Sequence, residues 1–199
     1  SDKPYEFTVH IKASGDTRMG IITDIKNELR TINGIRLLYT LDEMVTPDHP
    51  YAETEIDEYY KVETYKESRN NIIVIKTNAA DRYLIGDRPD YLDGNALEKV
   101  KSYILNKENN PDLPDKTDKE FTLPDGRIIT YPVSQAMILM QNDRGTSFEG
   151  YQAVNAFVQK AYRELRNDLA AELFGRPLAE LSDEEMSIIR QAIPMNVCE

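Results

Sequence analysis

The apolar positions of this chain change period along its length, and each change marks an element. Over residues 5–12 apolar and polar residues alternate, as in a strand with one buried face. Thr17 is then placed to cap a helix with Met19, Ile22, Ile25, Leu29 and Ile32 at helical spacing. Asn33-Gly34 predicts its left-handed end and residues 35–41 a second strand, so the first forty residues form a compact β-α-β unit. A second module opens at Asn71. Ile72-Ile-Val-Ile-Lys76 and Tyr83-Leu-Ile85 predict a hairpin across Asn78-Ala-Ala-Asp81. Beyond Gly86-Asp87 and the stiff Arg88-Pro89-Asp90, Asn95 is placed to cap a helix carrying Leu97, Val100, Ile104 and Leu105. Residues 121–132 predict another hairpin, turning at Pro124-Asp125-Gly126.

Residues 136–175 carry the strongest pattern: an apolar strand-like run, Ala136-Met-Ile-Leu-Met140, a polar turn over residues 141–146, and a long amphipathic helix. Thr146-Ser-Phe-Glu149 fits a capping box. The stripe runs through Phe148, Tyr151, Val154, Phe157, Val158, Ala161, Tyr162, Leu165, Leu169 and Leu173, and Gly175 and Pro177 stop it. Such a helix spans about 40 Å, more than a small core needs, so part of the stripe is expected to meet another surface or subunit. Ser182 with Glu185 predicts a last short helix ending before Pro194. The strand, turn and helix echo the start of the chain. Adding 129 takes Lys12 to Gln141, Thr17 to Thr146, Met19 to Phe148, Ile22 to Tyr151, Ile25 to Val154 and Leu29 to Val158. This reads as a duplicated β-α half-module in which only the first copy has a closing strand. The expected class is α+β, a small mixed sheet packed by helices, with units at residues 1–45 and 71–199.

The connector at 46–70 is acidic. From Asp42 to Asn70 nine acids outnumber three bases, with Pro47 and Pro50 as breakers and residues 59–65 alternating as an edge strand does. The whole chain has a formal charge of −11, which argues against a nucleic-acid or anionic-membrane partner. No apolar run reaches the roughly 20 residues of a membrane span. The single cysteine, Cys198, forms no internal disulfide or thiolate metal site, and His10 and His49 lie at no ligand spacing. No metal and no cofactor is expected.

Asn142-Asp-Arg-Gly-Thr146 superficially resembles the nucleophile loop of haloacid-dehalogenase-type phosphatases, but the chemistry fails. An amide at Asn142 cannot form an acyl phosphate, and the permanently charged Arg144 cannot shuttle protons. With no phosphate loop or nucleophilic triad at a recognisable spacing, the chain reads as a non-enzyme. Two readings of the turn remain. In one, Thr146 caps, Gly145 permits the bend, and Asp143 and Arg144 are solvated or paired. In the other, Gln141, Asn142, Asp143, Arg144 and Thr146 form a partner- or ligand-binding patch at a helix N-terminus, with Asp16 and Thr17 as its counterpart in the first copy. Tyr51, Tyr59, Tyr60 and Tyr65 either stack on a sugar or cover a strand.

From Asn71 onward the sequence resembles the periplasmic domain of the ExbD/TolR family, especially the long form found in Bacteroidetes. The resemblance rests on Ile72-Ile-Val-Ile with Arg82-Tyr-Leu-Ile-Gly86, on Leu139-Met-Gln-Asn-Asp-Arg-Gly-Thr-Ser-Phe-Glu149, on Ala161-Tyr-Arg-Glu-Leu-Arg-Asn-Asp-Leu169, and on Phe174-Gly175. It covers about two-thirds of the chain. Ile11-Lys-Ala13 and Met19-Gly-Ile-Ile-Thr-Asp-Ile-Lys26 resemble the closing half of such a domain. The resemblance implies a homodimeric subunit of a proton-motive-force-driven biopolymer transport complex in the inner membrane, working with ExbB-like and TonB-like proteins. It would be anchored by an N-terminal transmembrane helix, bearing the protonatable aspartate, that lies outside this sequence. The competing class is a peptidoglycan- or carbohydrate-binding periplasmic module.

Overall fold

The computed structural model describes residues 7–29, 35–41, 69–86 and 88–199. The edge strand expected at 59–65, the tyrosines at 51, 59 and 60, and the Asn33-Gly34 helix end lie outside them. The described fold is mixed α+β. Strands β1 (Phe7–Ala13) and β2 (Ile35–Leu41) lie parallel in register, Phe7 opposite Ile35 and Ala13 opposite Leu41, joined through helix α1 (Met19–Leu29). The larger layer is a five-stranded mixed sheet of order β5-β4-β3-β8-β9. It contains β3 (Ile72–Thr77), β4 (Tyr83–Ile85), β5 (Arg88–Asp90), β8 (Met137–Asn142) and β9 (Val197–Cys198). Helix α2 (Gly94–Leu105) and the hairpin β6 (Lys116–Thr122) and β7 (Ile128–Ser134) stand between β5 and β8 in sequence. Helices α3 (Phe148–Phe174) and α4 (Asp183–Ala192) stand between β8 and β9.

Apolar spacing explains the layers. Ile75 of β3 and Ile138 of β8 are fully buried together with Val100 of α2, Phe148 and Val154 of α3 and Ile189 of α4. Burial of each such side chain contributes about 1.5–3 kcal/mol. Helix α3 packs on β3, α2 and α4. Its stripe is therefore covered by the chain's own elements, and α2 and α4 supply a further surface of the kind expected for the excess length. The 27 residues are long enough to serve both the sheet and the α4 corner, with Tyr162, Leu165 and Leu169 buried well past the sheet.

Several boundaries differ from the pattern-based reading. Helix α2 is capped by Asp93, whose side chain accepts from the Ala96 N–H at 2.9 Å, and not by Asn95, which lies inside the helix. Arg88-Pro89-Asp90, read as a stiff loop, is an edge strand antiparallel to β4; proline is tolerated there because an edge strand can spare a donor. Helix α1 turns Ile25 outward, 41% exposed, and buries Lys26 instead. The Ser182 capping box forms as expected, with Glu185 held well below the usual carboxylate range chiefly by the Ser182 N–H. The second strand-turn-helix also has a closing strand. β9 lies parallel to β8, Val197 opposite Ile138 and Cys198 opposite Leu139. The chain's own last residues occupy the place that β2 takes beside β1, so β1 and β2 are not borrowed for it.

Candidate functional site

The turn after β8 is held by its own polar groups. The Asp143 carboxylate accepts from the Gly145 N–H at 2.7 Å, and the Thr146 N–H donates to the Asp143 carbonyl at 3.0 Å. A Cβ on Gly145 would lie 2.7 Å from the Ala79 side chain, so the bend requires glycine. Thr146 is completely buried and does not cap α3. Its hydroxyl reaches the carbonyls of Thr77 (3.0 Å) and Asn78 (3.1 Å), tying the turn to the end of β3. The cap is Ser147, one residue on, whose hydroxyl accepts from the Gly150 N–H at 2.9 Å. Asp81, in the left-handed region at φ 53°, accepts the Ser147 N–H at 2.9 Å and sits so close over Gly150 that a Cβ there would lie 2.6 Å from its carboxylate. A carboxylate at this position also complements the helix dipole.

The matching turn before α1 lies directly against this one. Met19 N–H donates to the Thr146 carbonyl (2.8 Å) and Phe148 N–H to the Thr17 carbonyl (2.7 Å); Gly20 N–H donates to Arg144 (2.9 Å) and Glu149 N–H to Gly15 (2.9 Å). Each pair of bonds interchanges under the 129-residue offset. An isolated antiparallel bridge joins Arg18 to Ser147, themselves 129 apart, so a local pseudo-two-fold axis passes between them. Side chains from both units add to the junction, without the exchange symmetry of the backbone bonds. Arg18 donates to the Gly145 carbonyl at 2.7 Å, and Arg144 makes a bidentate pair with Asp24 at 3.0 and 2.8 Å. That bond lowers the Asp24 carboxyl and raises Arg144. Deeper in, the buried Lys26 ammonium pairs with Glu199, which also accepts from the Tyr151 hydroxyl.

Of the residues singled out from sequence, Arg144, Thr146 and Thr17 therefore meet at one junction, and Asp143 and Asp16 lie in the turns that form it. Asp16 accepts from Ser14 within its own turn. Gln141 and Asn142 belong to β8, opposite Lys76 and Thr77 of β3. The N–H groups opening α3 at Ser147, Phe148, Glu149 and Gly150 are all engaged by protein acceptors, which removes the reason to expect an anion there. Lys26, Asp24, Asp81 and Glu199 went unnoticed in the sequence. A buried lysine inside a helical stripe was the one visible signal.

A cleft of about 490 Å3 lies between α2, the loop after it, Tyr131 and the Leu165–Glu172 face of α3. Its Lys101 is bonded to Glu98 (2.9 Å) and Glu164 (3.0 Å), which raises its pKa, opposite to what a nucleophilic lysine needs. Burial, helped by Glu172, raises Tyr131. No group of histidine, cysteine and carboxylate able to hold a metal occurs among the described residues. No helix among them is long and apolar enough to cross a membrane. No protein-family model matches the chain, and neither the curated proteins nor the solved structures contain a match to it.

Proposed function

We propose that this chain is a non-enzymatic periplasmic domain of an inner-membrane, proton-motive-force-driven complex of the ExbB-ExbD-TonB or Tol type, acting through dimerisation and contact with ExbB-like and TonB-like proteins. Residues 7–41 are a duplicate of the half-module at residues 136–199. The observation that carries the reading is the junction. The polar groups from Asp143 to Gly150, within the most family-like motif, are bonded to the end of β3 and to the turn before α1, so the turn is built as a joint between the two units. Force arriving from a membrane anchor would act across a joint made of four backbone bonds, the Arg18 bond to the Gly145 carbonyl, the exposed Arg144–Asp24 pair and the buried Lys26–Glu199 pair, which can open without unfolding either sheet.

The test is site-specific crosslinking in cells producing the anchored protein, with a photoreactive residue in place of Glu149 or Arg163. Adducts to the cognate ExbB-like or TonB-like protein are expected, and their absence at both positions while the protein remains folded and anchored would refute the partner role. Retention on purified peptidoglycan that is lost in Asn142→Ala would instead favour the wall-binding module.

A further inference from the structure

We propose that the face of α3 and its turn has a second occupant, the same face of another copy of this chain, and that residues 7–41 are its intramolecular competitor. The backbone pattern already obeys a two-fold. Phe148 N–H and Glu149 N–H donate to carbonyls of Thr17 and Gly15, while Thr146 and Arg144 offer the matching carbonyls. Two such faces brought together give Phe148 to Thr146 and Glu149 to Arg144 bonds in both directions, so no backbone group is left unpaired.

Side chains select this homotypic pair over the alternative. Gly20 packs on Arg144 so closely that a Cβ there would lie 3.4 Å from the guanidinium carbon, 3.3 Å from the Arg144 Cβ and 3.1 Å from its carbonyl oxygen. The residue 129 further on is Glu149, exposed at the start of α3. In a pair of second units Glu149 takes the place of Gly20, and after a shift of a few tenths of an ångström two carboxylates face two guanidinium groups. Ser147 then meets Ser147 on the axis. A pair of first units would instead set Arg18 against Arg18 and offer Gly15 where Arg144 stands. The second face is thus complementary to itself in charge, and the first is not.

Competition follows from the covalent joint between the units. A tethered partner acts at an effective concentration on the order of millimolar, so the first unit holds the face in dilute solution. Release of that unit is what admits a second copy.

The test uses the full chain in a Cys198→Ser background. Opposed residues of such an antiparallel bridge have Cα atoms about 4.5 Å apart, within disulfide range. Ser147→Cys alone should stay monomeric under oxidant at about 10 μM, because the tethered unit outcompetes a free copy. Adding Gly20→Val and Asp24→Arg, which set bulk and like charge against Arg144, should release the first unit, read as lost exchange protection of the Met19 amide. If Met19 stays protected, Lys26→Glu against Glu199 is added. The released protein should then sediment as a dimer and crosslink through residue 147. Adding Glu149→Arg should return it to monomer, since arginine would meet Arg144 of the other copy. A released protein that stays monomeric with a free thiol overturns the proposal, as does a dimer indifferent to Glu149→Arg.

Discussion

The unit β1-α1-β2 and the unit β8-α3-β9 both run from a strand through a helix to a parallel strand, the second with α4 before its last strand, yet they are supported differently. Helix α3 buries fourteen residues and packs on β3, α2 and α4, whereas α1 buries four. The second unit has β3 beside its first strand, extending the layer to five strands, while β1 and β2 form a two-stranded sheet. Two strands and one helix give little independent stability. The difference shows that a shared backbone path sets the geometry of a junction, while the surrounding layers decide which side can stand without it.

The sharpest way to break that comparison is to cut one fully buried side chain from the helix of each unit. Tyr162→Ala empties a fully buried aromatic site in α3 and should cost about 3–5 kcal/mol in urea denaturation, taking the whole of residues 69–199 with it. Ile22→Ala removes an equally buried side chain from α1 and should cost the first unit about 2–4 kcal/mol. Its effect should stay local: amides of β1 and α1 lose exchange protection while those of β3 and β8 keep theirs. Equal loss across both units would show that they fold as one and that the contrast in support is false.

A second pair of substitutions tests the turns. Gly145→Ala drives a methyl to within 2.7 Å of the Ala79 side chain and should cost about 1–3 kcal/mol, because overpacking forces the β3 end to shift. The position 129 earlier holds Asp16, which already carries a side chain and is exposed, so Asp16→Gly should cost under about 1 kcal/mol. The two turns would then be alike in path and unlike in tolerance, as measured by thermal unfolding.

Much of this was legible in the pattern of the chain, and the failures share a physical cause. The long stripe of α3, both hairpins of the second module and the repeat itself follow from periodicity, which is a local property. β9 escaped because two residues carry no period, and β5 because Pro89 reads as a breaker unless the strand is known to be an edge. The cap at Ser147 was displaced to Thr146 because both side chains suit an N-cap, and only the carbonyls of Thr77 and Asn78, nearly 70 positions away, draw the threonine inward. Lys26 is buried because Glu199, 173 positions distant, neutralises it. The site residues were recognised as special without their role, since backbone-to-backbone bonds leave no side-chain signature.

The alkaline limb separates the units by ionisation. Burial pushes Tyr162 far above the ordinary phenol value of 10.0, and burial also raises Tyr83 and Tyr131, all three within residues 69–199. A raised folded value means the contribution is complete below pH 10 and is lost as pH climbs from there toward the folded value. Unfolding above pH 10 should therefore begin in residues 69–199, and Tyr162→Phe should flatten the limb. A limb unchanged by that substitution would assign it to other groups.

The smallest effect belongs to the exposed ion pair of the junction, Arg144 with Asp24. Asp24 is lowered first by its hydrogen bond from Arg144, so its contribution is present above the ordinary value of 3.8 and fades as pH falls through the lower folded value. Both side chains are largely exposed, at 60% and 68%, so salt screens the pair as acid removes it. Asp24→Asn should leave global stability within error and slightly raise the exchange rate of the Met19 amide at neutral pH. Its mark should be the disappearance of both the acid and the salt dependence of that rate. The four backbone bonds across the axis are indifferent to both variables, so the protection that survives Asp24→Asn in high salt measures them together with the buried Lys26–Glu199 pair and the Arg18 bond to Gly145. If instead protection of Met19 vanishes entirely in Asp24→Asn, the ion pair and not the two-fold backbone pattern holds the two units together, and the symmetry of the junction is incidental to its strength.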